Sequence, residues 1–435
     1  MISYSLNNMA ITIEKEGASH FTKAGYPMRF GKYSEIRTSE YEFQFNLKGE
    51  IKFIRGLNVN WPHPSEWLKR TDGNDWVFYS VGAVIDYKGI IDCVGEYYLP
   101  CLIYPSNSLW GFNPYTDPNV SKAFVAWSQL YANLYEMQRR DRIPPNIRDF
   151  LSLIFSNDET TLHKESKKLH SIIGERVSVL PPDTRHVEYE VIPLIIADGC
   201  LYHCNFCCVK SPRGFQARSE ENILEQIRQL KAFYDCNLGN YNALFLGNHD
   251  ALGAGDERIC MAASEALGAF EFGNSYIKNP VLFLFGSVDS LLKAENKLFR
   301  NLSSLPFYTY INIGLESADA PTLASINKPL KISVIRDAFQ KMLAINQEYG
   351  NIEITANFLL GEQFSPDHYQ SLAELLRSVP DSSHSKGTIY LSPLMDNQKR
   401  PTIMDSQKRN DLLQSFFEIK KLNRLPTYLY LIQRL

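Results

Sequence analysis

Strand-like and helix-like segments alternate regularly from residue 191 onward. This alternation restricts the possible folds of the chain more than any other feature of the sequence. Apolar, β-prone runs predict six strands, at 191–197, 243–246, 281–285, 310–313, 352–360 and 388–391. Amphipathic segments between them predict helices, the first of which begins after Ser219, a residue type that caps helix N-termini. Such alternation implies parallel crossovers. We therefore expect an α/β fold with a partial (β/α)6 TIM-like barrel over residues 184–400.

The first 183 residues have a different pattern. Residues 1–118 contain short, aromatic-rich, strand-like pieces separated by turn clusters such as Asp72-Gly73-Asn74, which predict a β-rich N-terminal domain of mixed β/α character. Helical patterns at 120–140, 146–155 and 159–173 predict a helical connector over residues 119–183. Residues 401–435 are expected to form a C-terminal helical extension.

A cysteine-rich loop follows the first predicted barrel strand. Cys200, Cys204 and Cys207 have the spacing C-x3-C-x2-C, and Cys208 comes next. Barrel enzymes carry their reactive groups at the carboxyl ends of the strands. Three thiolates on one loop can bind three irons of a cubane cluster and leave the fourth iron open. Zinc is the competing interpretation, with Cys208 or His203 as a fourth ligand.

The cysteine spacing, with Phe206 before the third cysteine and a strand before the loop, resembles the radical S-adenosylmethionine (radical SAM) superfamily. The resemblance covers residues 190–395 and is greatest to coproporphyrinogen-oxidase-like, methylthiotransferase-like and cobalamin-dependent members. It implies one 4Fe-4S cluster bound by the three cysteines, with SAM bound at the open iron and contacted by Phe206. In that family the reduced cluster cleaves SAM to a 5'-deoxyadenosyl radical, which abstracts hydrogen.

The loop after the second strand occupies the position of the family's Gly-Gly-Glu motif, which binds the methionyl amino group. The resemblance implies that Gly247 and Asn248 contact the cofactor. This sequence departs from the motif, because Asn248 replaces the second glycine and the acid is displaced to Asp250. His249 and Asp250 are candidate catalytic acid–base residues, and a simple solvated loop is the alternative.

Two later strand ends also match the family. Glu316 and Ser317 correspond to the stretch beside the ribose and the methionyl carboxylate. Asn357 and Gly361 correspond to the region that backs the adenine, although a proline and a second glycine of that region are absent here. After the third strand, Asp289 is expected to cap a helix N-terminus.

The composition of the chain argues against nucleic-acid and membrane partners. Lys and Arg number 45 and Asp and Glu 48, so no global positive field attracts nucleic acid or an anionic membrane. No apolar run reaches the length of a membrane span, and residues 1–17 lack the layout of a secretory signal. Eight cysteines are too few for a disulfide scaffold. These observations favour a cytoplasmic protein without membrane or nucleic-acid partners.

We therefore expect a radical SAM enzyme, an oxidoreductase or transferase, that acts on a small molecule or a biosynthetic intermediate. The resemblance implies an electron donor such as flavodoxin or ferredoxin. Modification of a peptide, protein or RNA is the first alternative, although no RNA-binding module is recognisable. A non-catalytic iron-sulfur or zinc protein is the alternative from another class. Residues 1–185 lack an Asp-x-His-x-x-Gly signature, so no cobalamin-binding domain is expected.

Overall fold

The computed structural model describes residues 1–6, 8–21, 29–62, 66–79, 92–95, 109, 114–140, 143–188, 190–207, 209, 214–328, 330–380, 386–394 and 406–435. Cys208 lies outside these residues. Within them the chain forms two seven-stranded sheets, one antiparallel and one parallel, joined by helices. None of the described helices combines the length and apolar character needed to cross a bilayer.

The N-terminal sheet is an antiparallel meander in which each strand pairs with the next. Its strands are β1 (Ile2–Leu6), β2 (Met9–Glu16), β3 (Lys32–Arg37), β4 (Tyr41–Phe45), β5 (Ile51–Gly56), β6 (Trp67–Arg70) and β7 (Trp76–Tyr79). The helices that follow are α1 (Pro118–Arg140), α2 (Pro145–Phe155) and α3 (Glu159–Ile173). The β-rich character and these three predicted helices are confirmed.

The sheet and the first two helices share one apolar core. The Phe45 ring lies 5.6 Å from Trp127 on α1 and 5.5 Å from Phe150 on α2, measured between ring centroids. Helix α3 connects the two halves of the molecule, because Leu162 packs into this core while Leu169 and Ile173 pack into the core of the parallel sheet. The predicted connector therefore packs with the N-terminal sheet at its start and with the parallel sheet at its end.

The second sheet is entirely parallel, with the spatial order β16-β15-β14-β13-β12-β11-β8. Its strands are β8 (Ile192–Pro193), β11 (Ala243–Phe245), β12 (Val281–Gly286), β13 (Tyr308–Glu316), β14 (Ile352–Leu360), β15 (Ile389–Pro393) and β16 (Thr427–Leu429). The alternating α/β architecture is confirmed. Strand β16 was not predicted, because three residues are too few to show a strand pattern.

The first predicted strand, 191–197, is divided in the structure. Strand β8 ends at Pro193, and the next residue still donates to its neighbour, from the Leu194 N–H to the Phe245 carbonyl at 2.8 Å. Residues Ala197–Asp198 form a separate strand, β9, which pairs antiparallel with β10 (Gln216–Ala217). The cysteine loop therefore starts from a two-stranded ladder beside the parallel sheet, and not from the parallel sheet itself.

Helices follow the strands of the parallel sheet and cover its outer face. They are α4 (Glu220–Tyr234), α5 (Asp256–Ala269), α6 (Val288–Lys293), α7 (Asn296–Ser304), α8 (Ala320–Ser325), α9 (Ile332–Glu348), α10 (Pro366–Arg377) and α11 (Ser406–Leu422). The predicted cap at Ser219 is confirmed, since its hydroxyl accepts the Asn222 N–H at 3.2 Å. Every residue of β14 is buried, as expected for a strand covered on both faces.

A 3-10 turn, Pro182–His186, forms hydrogen bonds with side chains of β14 and β15 in the parallel sheet. The Asp183 carboxylate accepts hydrogen bonds from Tyr390 (2.8 Å) and Thr355 (2.9 Å). Burial, together with repulsion from Glu353, raises the pKa of Asp183 to about 7. Thr355 also accepts a hydrogen bond from Asn312 at 2.8 Å, so the turn is linked through Thr355 to strand β13.

The segment after β16 lies against the chain that leads into β8. The Leu180 N–H donates to the Gln433 carbonyl at 2.9 Å, and the Tyr430 hydroxyl donates to the Leu180 carbonyl at 2.6 Å. Because β8 and β16 are the two edges of the parallel sheet, this segment connects one edge with the chain entering the other.

A buried ion network joins the N-terminal sheet to the chain before β8. Lys69 Nζ lies 3.2 Å from Glu188 and 3.3 Å from Glu190. Lys52 Nζ lies 2.6 Å from Asp72 and 3.4 Å from Glu190. Burial opposes the charge on Lys52, but the two carboxylates outweigh it and hold its pKa above the ordinary value.

Candidate active site

A cavity of about 270 Å³ lies at the carboxyl ends of the parallel strands. Its volume is near the lower end of ligand pockets, which begin at roughly 300 Å³. The loops after β9, β11, β12 and β13 form one part of its wall, and residues of β14, β15 and the segment after β16 form the other. The position is the one where barrel enzymes place their chemistry.

All three cysteines of the predicted metal site line this cavity. They are partly buried, and none forms a disulfide. The loop is anchored on the turn after α8: the Asn205 N–H donates to the Ile326 carbonyl at 3.0 Å, and the Asn327 amide donates to the His203 carbonyl at 2.7 Å. The cysteine loop and the chain after β13 are therefore held together.

Burial acts on two of these thiols and favours their neutral form. Burial raises the pKa of Cys200, and it raises the pKa of Cys204 to about 11, against the pull of nearby Lys328. Among the described residues, no group of three or more His, Cys, Asp or Glu side chains is already arranged to hold a metal ion. Binding a shared cluster would require the thiols to deprotonate and rotate toward a common point.

Two polar side chains of the loop after β11 have oxygens without protein partners. Asn248 donates to the Arg176 carbonyl at 3.3 Å, while its own Oδ1 is buried with no hydrogen-bond partner. Asp250 Oδ1 accepts from the Ser287 N–H (3.0 Å) and the Ser290 hydroxyl (2.7 Å), while Oδ2 has no partner. Both residues line the cavity. Buried acceptors without protein partners are places where a water or a ligand can donate a hydrogen bond.

A buried ion pair stands beside the cysteine loop. Lys328 Nζ lies 3.3 Å from Glu316 Oε1 and donates to the Gly314 carbonyl at 2.5 Å. Burial raises the pKa of Glu316, and Lys328 acts against that shift. A bulge between Gly314 and Glu316 and a left-handed backbone at Glu316 (φ +69°) place the carboxylate at the cavity. Sequence reasoning missed Lys328, because an isolated lysine after a short helix has no motif to distinguish it.

His249 lines the cavity between these groups. Its Nε2 lies 3.2 Å from Glu175 Oε2, and its side chain is largely buried. A carboxylate at this distance fixes the orientation of the ring. The role of His249 as an acid or base stays a prediction.

Residues 194–376 match the model of the Radical SAM superfamily. These residues form a radical SAM domain. Members of this superfamily are enzymes, and the family implies a 4Fe-4S cluster and SAM as cofactors. A search of curated proteins finds no significant match to the chain.

Solved structures similar to this chain include three radical SAM proteins. One is a radical SAM methyltransferase from Sphaerobacter thermophilus, with 14% identity, a TM-score of 0.37 and coverage of 55% of this chain and 65% of that one. A second is coproporphyrinogen III oxidase (HemN) from Escherichia coli, with 13% identity, a TM-score of 0.36 and coverage of 61% of this chain and 56% of that one. The third is the cobalamin-dependent S-adenosylmethionine radical enzyme OxsB, with 16% identity, a TM-score of 0.33 and coverage of 53% of this chain and 30% of that one. The chain thus covers less than two thirds of each, and these loose superpositions carry no argument about the reaction.

Nine of the twelve predicted site residues of the radical SAM domain line the cavity, as follows: Cys200, Cys204, Phe206, Cys207, Asn248, His249, Asp250, Glu316 and Asn357. Gly247, Ser317 and Gly361 do not. The buried Ser317 hydroxyl lies 2.8 Å from His368 Nδ1 and accepts the Asp319 N–H at 3.0 Å. Gly247 has φ +114°, a conformation that side-chain-bearing residues rarely adopt.

One prediction for a residue beside the cavity is wrong. Asp289 was expected to cap the helix after β12, but Ser287 is the cap and accepts the Ser290 N–H at 3.0 Å. Asp289 lies in the first turn of α6 and accepts a hydrogen bond from the Tyr202 hydroxyl. It thereby ties the cysteine loop to the next helix. Serine and aspartate are both common capping residues, so the sequence could not decide between them or show the partner on the cysteine loop.

Proposed function

We propose that this chain uses SAM and a 4Fe-4S cluster to abstract hydrogen from a small molecule or a biosynthetic intermediate. The observation that supports it is the convergence of two donor sets on one cavity. Cys200, Cys204 and Cys207 approach from one loop, and the unpartnered oxygens of Asn248 and Asp250 approach from another. Thiols suit iron, and acceptor oxygens suit an ammonium.

The three thiolates would hold the cluster and leave one iron for SAM. When bound, the reduced cluster and SAM supply one-electron cleavage that produces a hydrogen-abstracting 5'-deoxyadenosyl radical. Asn248 Oδ1 and Asp250 Oδ2 would accept hydrogen bonds from the methionyl ammonium. Lys328 would neutralise the methionyl carboxylate, and Glu316 would accept from the ribose hydroxyls.

The remaining lining residues complete the pocket. Phe206 and Asn357 are proposed cofactor contacts, and His249 and Asp250 are proposed to hold or move a proton. Gly247, Ser317 and Gly361 would act through the backbone or their neighbours. We propose a flavodoxin or ferredoxin as electron donor and the cytoplasm as location, since the open cluster requires reduced thiols and a reducing compartment.

Release of 5'-deoxyadenosine tests this function. The reduced, anaerobically reconstituted protein is given SAM beside a Cys200→Ala/Cys204→Ala/Cys207→Ala variant. Cys260→Ala is the matched control, because that thiol lies outside the cavity. Wild type and Cys260→Ala should hold about four irons per chain and release the product. The triple variant should hold no iron and release none.

Two results would contradict the proposal. Stoichiometric zinc in place of iron would show a zinc site. Iron retained by the triple variant would show that other residues bind the cluster.

A further inference from the structure

A chain of hydrogen bonds runs from the 3-10 turn Pro182–His186 to the cavity. The Thr355 hydroxyl donates to Asp183 Oδ2 at 2.9 Å and accepts an N–H of the Asn312 amide at 2.8 Å. Asn312 Oδ1 in turn accepts an N–H of Asn357 at 2.6 Å. Asp183 and Thr355 are fully buried outside the cavity lining, whereas both asparagines line it. A buried carboxyl group is therefore connected to the cavity lining through a single hydroxyl group.

The direction of these hydrogen bonds is fixed at the end that lies farthest from the cavity. Arg185 Nε donates to the Tyr390 oxygen at 2.9 Å, and a guanidinium group can only donate. The Tyr390 hydroxyl is therefore free to donate its own proton, which goes to Asp183 Oδ1 at 2.8 Å. Because Oδ1 is an acceptor in either ionisation state, a proton on Asp183 must lie on Oδ2, which faces Thr355.

The two ionisation states of Asp183 place different demands on Thr355. The ionised carboxylate accepts the Thr355 proton, so Thr355 accepts from Asn312 in turn. A protonated Oδ2 becomes the donor, and the Thr355 proton then needs another acceptor. Among the described residues the Thr355 hydroxyl bonds only Asp183 and Asn312. Rotation of the Asn312 amide by half a turn supplies its oxygen, and Asn357, which donates to that oxygen, must rotate with it.

We propose that Asp183 is a positioning residue whose carboxyl group sets the orientation of the Asn312 and Asn357 amides. This inference rests on the proposed function, which makes Asn357 a cofactor contact. Rotation exchanges the N–H and the C=O that Asn357 presents to a ligand. A ligand that matches one orientation meets an unpaired group in the other, so SAM affinity should differ about fivefold or more between the two states.

Both states are populated near neutral pH, because burial and repulsion from Glu353 raise the pKa of Asp183 to about 7. Other charged or titratable groups surround the carboxyl group on every side. They are Arg185 and His186 on its own turn, Tyr308 and Tyr310 on β13, Glu353 on β14, Lys386 before β15, Tyr390 on β15 and Tyr428 on β16. All of them are retained in the variants below, so a difference from wild type reports the Asp183–Thr355 link.

Asp183→Asn tests the proposal, because it imitates the protonated state at every pH. The Tyr390 proton requires the amide oxygen on its side, so the amide N–H faces Thr355. SAM affinity of the cluster-loaded proteins is measured by equilibrium dialysis at about pH 6 and pH 8, and titration of SAM itself cancels in the ratio of variant to wild type. The variant should approach wild type at pH 6 and differ from it by about fivefold or more at pH 8. A ratio that is the same at both pH values overturns the inference.

Two variants of Thr355 separate this role from a merely structural one. Thr355→Val keeps the shape but removes the hydroxyl, so its ratio to wild type should also change about fivefold or more between the two pH values. Thr355→Ser keeps the hydroxyl and should follow wild type at both. A structural role of Asp183 would alter affinity by one factor at every pH. Thr355→Val that follows wild type at both pH values also overturns the inference.

Iron content and 5'-deoxyadenosine release are measured on the same samples. If iron, release and SAM binding are normal while the ratios stay constant with pH, this inference is wrong and the proposed function stands. If wild type holds iron but binds no SAM at either pH, the proposed function is wrong and this inference fails with it.

Discussion

The molecule buries polar side chains in two places that differ in how completely they are paired. In the ion network between the sheets, Lys69 faces two carboxylates and Lys52 faces two. In the cavity, Asn248 Oδ1 and Asp250 Oδ2 have no partner. Burial is similar in both places, so burial does not distinguish a structural cluster from a binding site. A facing cation does: Glu190 Oε1 also lacks a hydrogen bond but lies within 3.4 Å of two lysines, whereas Asp250 Oδ2 has neither a hydrogen bond nor an ion pair among the described residues.

The paired network also shows what fixes the position of the N-terminal sheet. The Tyr241 hydroxyl donates to Asp72 at 2.7 Å, so the network extends to the segment before β11. Buried ion pairs contribute little net stability, because desolvation offsets the attraction between the charges. Removal of one member is nevertheless costly, since its partners stay buried and uncompensated. We therefore interpret the network as fixing one relative orientation of the two sheets.

The largest effect is expected from Lys69→Ala, which leaves Glu188 and Glu190 buried with one fewer cation. The free energy of unfolding should fall by about 3 to 5 kcal/mol. Lys408→Ala is the control: its pair with Glu362 is exposed and should be worth at most about 1 kcal/mol. Urea unfolding of the cluster-free protein measures both. Equal losses in the two variants would show that the buried network is no more important than a surface pair.

Asp183 shows that hydrogen bonds alone do not keep the pKa of a buried carboxyl group low. Both of its oxygens are hydrogen-bonded, yet burial and repulsion from Glu353 raise its pKa to about 7. Between about pH 4 and 7 the folded protein keeps a proton that the unfolded chain releases. The contribution of this group to stability therefore falls as the pH rises through that window.

Asp183→Asn should remove this dependence. The difference in unfolding free energy between variant and wild type should change by roughly 2 to 4 kcal/mol from pH 4 to pH 8, in favour of the variant at high pH. Denaturant unfolding at several pH values measures it. Curves that stay parallel would mean that hydrogen bonds alone keep Asp183 ionised.

The smallest effect is expected in the cavity. Asp250→Asn can keep the oxygen bonded to Ser287 and Ser290 while replacing the unpartnered oxygen with an N–H donor. SAM affinity should fall by about tenfold, or roughly 1.4 kcal/mol, with little change in unfolding free energy. Asp256→Asn, on the outer helix α5, is the control and should bind SAM normally. Equilibrium dialysis of the cluster-loaded proteins compares them, and an unchanged affinity would remove Asp250 from the ammonium site.

Local pattern was enough to predict part of this structure. The cysteine loop, the helix cap at Ser219 and most parallel strands follow from spacing and periodicity within some twenty residues. Burial of β14 on both faces was legible because its run is almost wholly apolar. Such features depend on residues that are close together in the sequence, so one sequence is enough to predict them.

The rest depends on residues far apart in the sequence. Lys328 is a site residue only because the bulge at Glu316 faces it, and β16 exists only because β15 offers it an edge. Val179 is buried together with Tyr390 and Tyr430, which no periodicity in the sequence connects to it. Asp289 became a partner of Tyr202 through the fold, where sequence showed only a capping residue type.

The segment after β16, which lines part of the cavity, has a consequence for the order of events during synthesis. Roughly 220 residues separate Cys207 from Tyr430 and Ile432, and ribosomes add about 5 to 20 residues per second. The cysteine loop therefore leaves the ribosome on the order of ten seconds or more before the segment after β16. During that interval the cysteine loop is already made while Tyr430 and Ile432, which line the same cavity, are not, so iron and sulfide can meet the thiols before the cavity is complete.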